Sequence, residues 1–326
     1  MSTKKIKLIV IGLLLHLVTI GFASESIETD DFHVVAQKAY ELAEQYGTNE
    51  VLIVYDIDNT LLAMNQDLGS DQWFNWQASL ISGGTLKDAV ASDFPGLLSV
   101  QGKLYAMSSM SSPDSNTPPI VLNLQKRGFH SIVLTSRGFD YRDATSRELK
   151  RNGYQFLQSS LNPKEGFPST YLPYDLKRLS DYGLSEDDVQ KLKIGTPRPV
   201  SFMDGLFMTS GQHKGAMLRT LLWKTDHSFP AILFVDDQKK HCDAIQAAFE
   251  NQAVDVVTIR YGLEDGRVKR FQDGDKQPVV SEWNLLKGVL ERLFPDKRRI
   301  MHPTPPPSYD EYDYDEYNPK DDCHEC

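Results

Sequence analysis

Four short apolar runs constrain this chain more than any other feature: Val51-Leu52-Ile53-Val54-Tyr55, Ser131 to Leu134, Ala231 to Val235 and Val254 to Ile259. They are brief, rich in β-branched residues and free of polar alternation, so each reads as a strand buried on both faces. Helical spacing lies between them. Residues 30 to 47 place Phe32, Val35, Ala36, Ala39, Leu42, Ala43 and Tyr46 on one face behind Asp30 and Asp31, and Gly47 stops the pattern. Stretches 140 to 151, 214 to 223 and 238 to 250 have the same periodicity. Buried strands alternating with helices predict an α/β fold with a parallel sheet covered on both faces. In such sheets chemistry collects at the carboxyl ends of the strands.

The residues there are polar and chemically capable. The first run ends in Asp56-Ile57-Asp58-Asn59-Thr60, whose extended alternation can turn Asp56 and Asp58 toward one site. The second ends in Thr135-Ser136-Arg137-Gly138 and the third in Asp236-Asp237, while Lys214 opens the helix that leads into the third. Each has a plain structural alternative. Asp58-Asn59-Thr60 could be a turn, Thr135-Ser136 and Asp236-Asp237 could cap helices, and Lys214 could cover a surface. All four arising in register by such routes is the weaker account. Arg137 reads equally as a substrate contact or as a surface charge.

These segments resemble the four signature motifs of the haloacid dehalogenase-like superfamily. Asp56-Ile57-Asp58-Asn59-Thr60 matches the first motif in its phosphatase form, and Thr135 the second. Lys214, within Gly211-Gln212-His213-Lys214-Gly215, matches the third, and Asp236-Asp237 the fourth. The resemblance covers about residues 50 to 260. It implies a Rossmann-like three-layer core and a Mg²⁺-dependent phosphatase acting on a small phosphomonoester. The stretch Gly69-Ser70-Asp71-Gln72-Trp73-Phe74 and the exported character of the chain resemble a bacterial subfamily of unknown function.

The resemblance also implies roles. Asp56 is the expected nucleophile that forms an aspartyl-phosphate, and Asp58 the expected acid, then base. Mg²⁺ is expected on Asp56, on the main-chain carbonyl of Asp58 and on an acid of the fourth motif, with Asp237 first choice and Asp236 the alternative or a supporting partner. Thr135 is expected to donate to the phosphoryl group, and Lys214 to neutralise its charge and orient Asp56. His241 departs from the motif, which often has Asn or Asp there. Two readings of other classes remain: a catalytically idle member that binds a ligand or partner, and a dehalogenase. Both Asp56 and Asp58 being present weighs against the first, and the metal acids weigh against the second.

Insertions supply what the core cannot. A strand-helix-strand unit needs ~30 residues, whereas Asp56 to Thr135 spans 79 positions. Residues 62–112 are therefore the expected cap. Its Trp73, Phe74 and Trp76 read as the cap's own core in preference to a stacking platform for a leaving group. A second insertion is expected at about 152–210, with a hairpin from Ser201 to Thr209 around Asp204-Gly205.

The ends differ from the body, which spans 24–300. Residues 1–23 combine Lys4, Lys5 and Lys7 with an apolar run from Leu8 to Ala23 and small residues at Gly21 and Ala23. This is the pattern of a signal peptide cleaved after Ala23, too short for a stable span, so a periplasmic or secreted protein is expected. Residues 301–326 are Pro-rich, then acidic and Tyr-rich, and read as a disordered tail open to a protein partner. Cys323 and Cys326 lack the second pair that a structural zinc site wants, and Cys242 reads as a buried, inert thiol. The formal net charge of -10, with no basic stripe, argues against nucleic acid as a partner.

Overall fold

A computed structural model describes residues 24–161 and 168–294. The expected signal peptide (1–23) and tail (301–326, with Cys323 and Cys326) lie outside the described residues. The chain opens with β1 (Ser24–Thr29) and α1 (His33–Tyr46), then β2 (Val51–Tyr55). The segment after β2 holds β3 (Ala63–Met64), α2 (Asp71–Ser82), α3 (Phe94–Met107) and β4 (Met110–Ser111). Next come α4 (Thr117–Lys126), β5 (His130–Thr135), α5 (Arg142–Arg151), α6 (Glu186–Lys191), β6 (Ser201–Met203) and β7 (Leu206–Met208). The remainder is α7 (Lys214–Thr225), β8 (Ala231–Asp236), α8 (Lys239–Phe249), β9 (Asp255–Tyr261), α9 (Asp265–Asp273) and α10 (Gln277–Leu293).

Seven strands form one sheet in the order β1-β9-β8-β2-β5-β7-β6. Every pairing is parallel except β6 with β7. All four apolar runs are strands of this sheet, and their alternation divides the core. Val51, Ile53 and Tyr55 join Val133, Leu233 and Ile259 under α1, α4 and α5. Leu52 and Val54 join Ile132, Phe234 and Val256 under α7 and α8. The result is the three-layer α/β arrangement expected for a parallel sheet.

Three features go beyond the sequence reading. β1 is an edge strand, paired with β9 from Ser24↔Val256 to Thr29↔Tyr261, although Ser24-Glu25-Ser26 has no strand-like alternation. The hairpin at residues 201–209 exists, with Asp204 and Gly205 both at positive φ (52° and 76°) as a tight two-residue turn requires. It lies in the main sheet beside β5, so the stretch 152–210 contributes two strands to the core. Residues 62–112 form a third core with the C-terminal helices: Trp73, Leu97, Val100 and Leu104 pack with Phe271, Val279 and Trp283. Trp73 is buried, Phe74 meets Phe94 edge-on and Trp76 meets Phe271 edge-on, as the core reading of these aromatics expects.

Candidate functional site

β2 sits where the strand order reverses, with β5 on one side and β8 on the other. Its carboxyl end therefore opens onto the crevice where α/β sheets bind ligands. Asp56 follows β2 directly and is anchored through its backbone N–H, which donates to the Val235 carbonyl of β8 at 2.9 Å. Asp236 closes β8, with Asp237 just beyond it. Lys214 is the first residue of α7, whose N-cap is His213; the His213 Nδ1 accepts from the Ala216 N–H at 3.1 Å. Gly215 is required here because a Cβ would overlap the Ala244 carbonyl oxygen of α8, so only glycine lets α7 approach closely enough to aim Lys214 inward.

Lys214 is buried between two carboxylates. Its Nζ donates to Asp56 Oδ1 at 2.5 Å and to Asp236 Oδ2 at 2.6 Å. Burial lowers its pKa, but Asp236 and Asp56 outweigh that and raise it, so it stays an ammonium. Asp236 also accepts from the Gln238 N–H (2.9 Å, Oδ1) and pairs with His241 Nδ1 at 3.0 Å. Burial opposes its ionisation, yet His241 and Lys214 hold its carboxyl well below the usual range. Asp56 behaves oppositely: burial pushes it up to about 8, Lys214 pulls against this, and Asp236 and Asp58 add repulsion. Asp237 is also raised well above the usual range, by burial and then by Asp236, Asp71 and Asp56. Among the described residues its carboxylate accepts one hydrogen bond, a long one from Asn59 Nδ2 at 3.3 Å, while its backbone carbonyl accepts from Arg260 Nε at 2.9 Å.

One ligand atom each from Asp56, Asp236 and Asp237 lies within 4.8 Å of the others, a cluster that could hold a metal ion. The donors are all carboxylate oxygens, which suit a hard cation. The raised carboxyls of Asp56 and Asp237 fit the same demand, because burial, and then neighbouring acids, disfavour their charge and a cation would offset both. Asp236 is already saturated by Lys214, His241 and the Gln238 N–H, whereas Asp237 is nearly free. The geometry therefore favours Asp237 as the direct ligand and Asp236 as the group that fixes Lys214.

Asp58 lies apart from this trio. Both its oxygens accept from Arg137, Nε to Oδ2 at 2.9 Å and Nη2 to Oδ1 at 2.7 Å. Arg137 is neither a surface charge nor free for a ligand. It is buried, lies 4.1 Å from the Tyr105 ring centre, and also donates to Thr145 Oγ1 at 2.9 Å. Thr135 is buried at the end of β5, and its Oγ1 accepts from the Arg137 N–H at 3.2 Å. Asn59, at φ 58°, makes the left-handed turn that carries the chain away from the site.

Sequence reasoning missed Asp71. It starts α2 after the Ser70 N-cap, and its Oδ2 accepts from Asn75 Nδ2 at 3.0 Å and from Gln238 Nε2 at 3.3 Å. Burial pushes its carboxyl up to about 6, with Asp58 adding to the rise and Lys240 opposing it. The stretch Gly69 to Phe74 holds a helix start, but nothing in it says that this start returns to the ends of β2 and β8. Cys242 is buried as expected, and burial raises its thiol pKa.

Residues 28–294 match a family described as a protein of unknown function, DUF2608. The chain belongs to this family. The DUF2608 match runs from the end of β1 to just past α10, so the two C-terminal helices are part of the family's unit along with the strand-end site. No curated protein matches this DUF2608 member.

Proposed function

We propose that this protein is a Mg²⁺-dependent phosphatase of the haloacid dehalogenase-like type, acting on a small phosphomonoester through an aspartyl-phosphate on Asp56. The observation that carries the reading is the environment of Asp56: a buried carboxylate at the central strand end, held at 2.5 Å by Lys214 and grouped with Asp236 and Asp237. A structural salt bridge needs one acid per lysine. Burying three acids around one ammonium leaves two of them raised, and that arrangement is better suited to a dianionic substrate with a divalent cation than to stability.

The residues divide the work. Lys214 orients Asp56 and, together with a bound cation, would keep it ionised, so that one oxygen can attack phosphorus while the ester oxygen departs. Asp56, Asp237 and the Asp58 carbonyl would hold Mg²⁺, which would offset the repulsion between Asp56 and the phosphate dianion. Thr135, turned by the Arg137 N–H, has its hydroxyl proton to give to a phosphoryl oxygen. Asp58, paired with Arg137, is arranged as a carboxylate, which suits the base that activates water for hydrolysis of the aspartyl-phosphate. Its acid role requires release from Arg137 and uptake of a proton. The 62–112 layer serves as the cap, since its first helical turn reaches the site through Asp71 and Gln238. Export with cleavage after Ala23 is part of this reading.

The reading is tested by incubating purified residues 24–326 with a panel of phosphate esters. Mg²⁺-dependent release of phosphate is expected. Its absence for every ester, with retained folding, would favour the binding-protein alternative.

A further inference from the structure

Among the described residues the Asp58 carboxylate has one hydrogen-bond partner, the guanidinium of Arg137, which reaches Oδ2 through Nε at 2.9 Å and Oδ1 through Nη2 at 2.7 Å. A two-pronged hold fixes the plane of a carboxylate as well as its place, which a lysine, a point charge on a flexible stem, does not do. Arg137 is held in turn by α3, β4 and α5. Thr145 Oγ1 of α5 accepts from Nη1 at 2.9 Å, Met110 Sδ of β4 lies 3.2 Å from Nη2, and the Tyr105 ring of α3 has its centre 4.1 Å from the guanidinium carbon. The fork has little freedom of its own, and Asp58 inherits its position.

Tyr105 brings the 62–112 layer into this arrangement. Along α3, Leu97, Val100 and Leu104 face the third core, whereas Tyr105 joins the sheet's core with Tyr55 and Val133. Its ring lies 5.3 Å from that of Tyr141, and its carbonyl accepts from Arg147 Nη2 at 2.8 Å, so the segment that supplies Thr145 also pins the ring. A guanidinium over an aromatic face is attracted by the ring's quadrupole, most strongly where water is excluded. The pair itself contributes little to stability, because desolvation offsets the Coulomb attraction. Orientation of Asp58 is what this set of contacts achieves.

We infer that Arg137 and Tyr105 are positioning residues: Tyr105 holds the guanidinium, the guanidinium holds Asp58, and the layer thereby sets the step in which Asp58 acts as base. This rests on the phosphatase reading of the site. In that step Asp58 takes a proton from water, the water oxygen bonds to phosphorus, and the bond from phosphorus to the Asp56 oxygen breaks, which releases phosphate and returns Asp56 as a carboxylate. Forming the phosphoenzyme from an ester whose leaving group needs no proton makes no use of Asp58. A loosened Asp58 should then slow the second half-reaction alone.

The test follows hydrolysis of a nitrophenyl phosphate with saturating Mg²⁺ by wild type, Arg137→Lys, Tyr105→Leu and Tyr105→Phe. With so good a leaving group, hydrolysis of the phosphoenzyme is the slow step. Slowing it further lowers kcat and KM together, leaves kcat/KM unchanged and raises the phosphoenzyme seen by intact mass after acid quench. KM does not depend on the folded fraction, so partial unfolding does not mimic this pattern. Arg137→Lys keeps the charge and loses the fork, and should lower kcat and KM each by about tenfold, the scale of one charge-assisted hydrogen bond. Tyr105→Leu should lower both by about threefold, the scale of a cation–π contact, and Tyr105→Phe, which keeps the ring, should recover most of that difference. A fall in kcat with KM unchanged or raised in Arg137→Lys, or a wild-type KM in Tyr105→Leu, would overturn the inference and leave the phosphatase reading standing. If wild type hydrolyses no ester, the phosphatase reading falls and the inference with it.

Discussion

The strand-end site and the layer built from α2, α3, α9 and α10 are held by opposite physics. At the strand ends, buried ion pairs dominate: Lys214 with Asp56 and Asp236, Arg137 with Asp58, all on short segments locked to the sheet. In the layer, the contacts are apolar and join parts of the chain far apart in sequence, such as Trp76 with Phe271. The comparison teaches that position is set by the sheet and enclosure by long-range packing. An isosteric Asp→Asn substitution at the strand ends should therefore remove chemistry with modest structural change, and a truncation in the layer should loosen structure first.

The sharpest break is Asp56→Asn. The amide keeps the volume and can still accept from Lys214, but it cannot act as the nucleophile. Turnover should fall by on the order of 10⁴-fold or more, with a circular dichroism spectrum like that of wild type. Activity near wild type would move the nucleophile elsewhere.

Asp58→Asn should cost about 10²–10⁴-fold on alkyl phosphates, because an alkoxide needs a proton to leave. An aryl ester bearing a nitro group needs none, so its first step should be spared and phosphoenzyme should accumulate. Equal losses on both ester classes, with no trapped phosphoenzyme, would mean that Asp58 serves mainly to anchor Arg137.

Two stability experiments set the regions side by side. Lys214→Met strands Asp236 and Asp56 as buried acids without their ammonium, at a cost of about 3–5 kcal/mol to the whole domain. Trp73→Ala empties the centre of the layer and should cost about 3–5 kcal/mol as well. The difference should appear in hydrogen exchange: Lys214→Met should expose amides of β2 and β8 along with the rest, whereas Trp73→Ala should expose α2, α3, α9 and α10 and leave the sheet protected. Uniform loss of protection in Trp73→Ala would show the two regions to be one cooperative unit.

The smallest effect concerns pH. Asp56 and Asp237 have raised pKa values, so the stability they confer is present at low pH and is lost as pH rises, through about 8 for Asp56. His213 and His241 are lowered, so their contribution runs the other way and is complete above their usual value of 6.5. Between about pH 6.5 and pH 8 the acids alone act, and Tm of metal-free protein should fall by a few degrees. Saturating Mg²⁺ should abolish the fall by binding the ionised acids. A Tm that rises over this window without metal would contradict the charge assignment.

Legibility followed the same division. Val51 to Tyr55 could be read as a strand because periodicity is local, and Asp56, Thr135, Lys214 and Asp236 could be placed because strand ends in parallel sheets share one edge. Arg137 could be located at that edge, but its buried pairing with Asp58 depends on rotamers that no spacing encodes. Asp71 was invisible for a stronger reason: its approach to Gln238 depends on how the layer docks, which in turn depends on Phe271 and Trp283, about 200 residues away. β1 was missed because an edge strand needs only backbone pairing, and Ser24 to Thr29 supplies that without an apolar face.

The most direct test of the account is rapid acid quench of wild-type protein during turnover of a nitrophenyl phosphate, followed by intact-mass measurement and peptide mapping. The account predicts a species heavier by one phosphoryl group, sensitive to hydroxylamine, mapping to Asp56, more abundant in Asp58→Asn and absent in Asp56→Asn. Phosphate release without any such adduct, or an adduct on another residue, would contradict it.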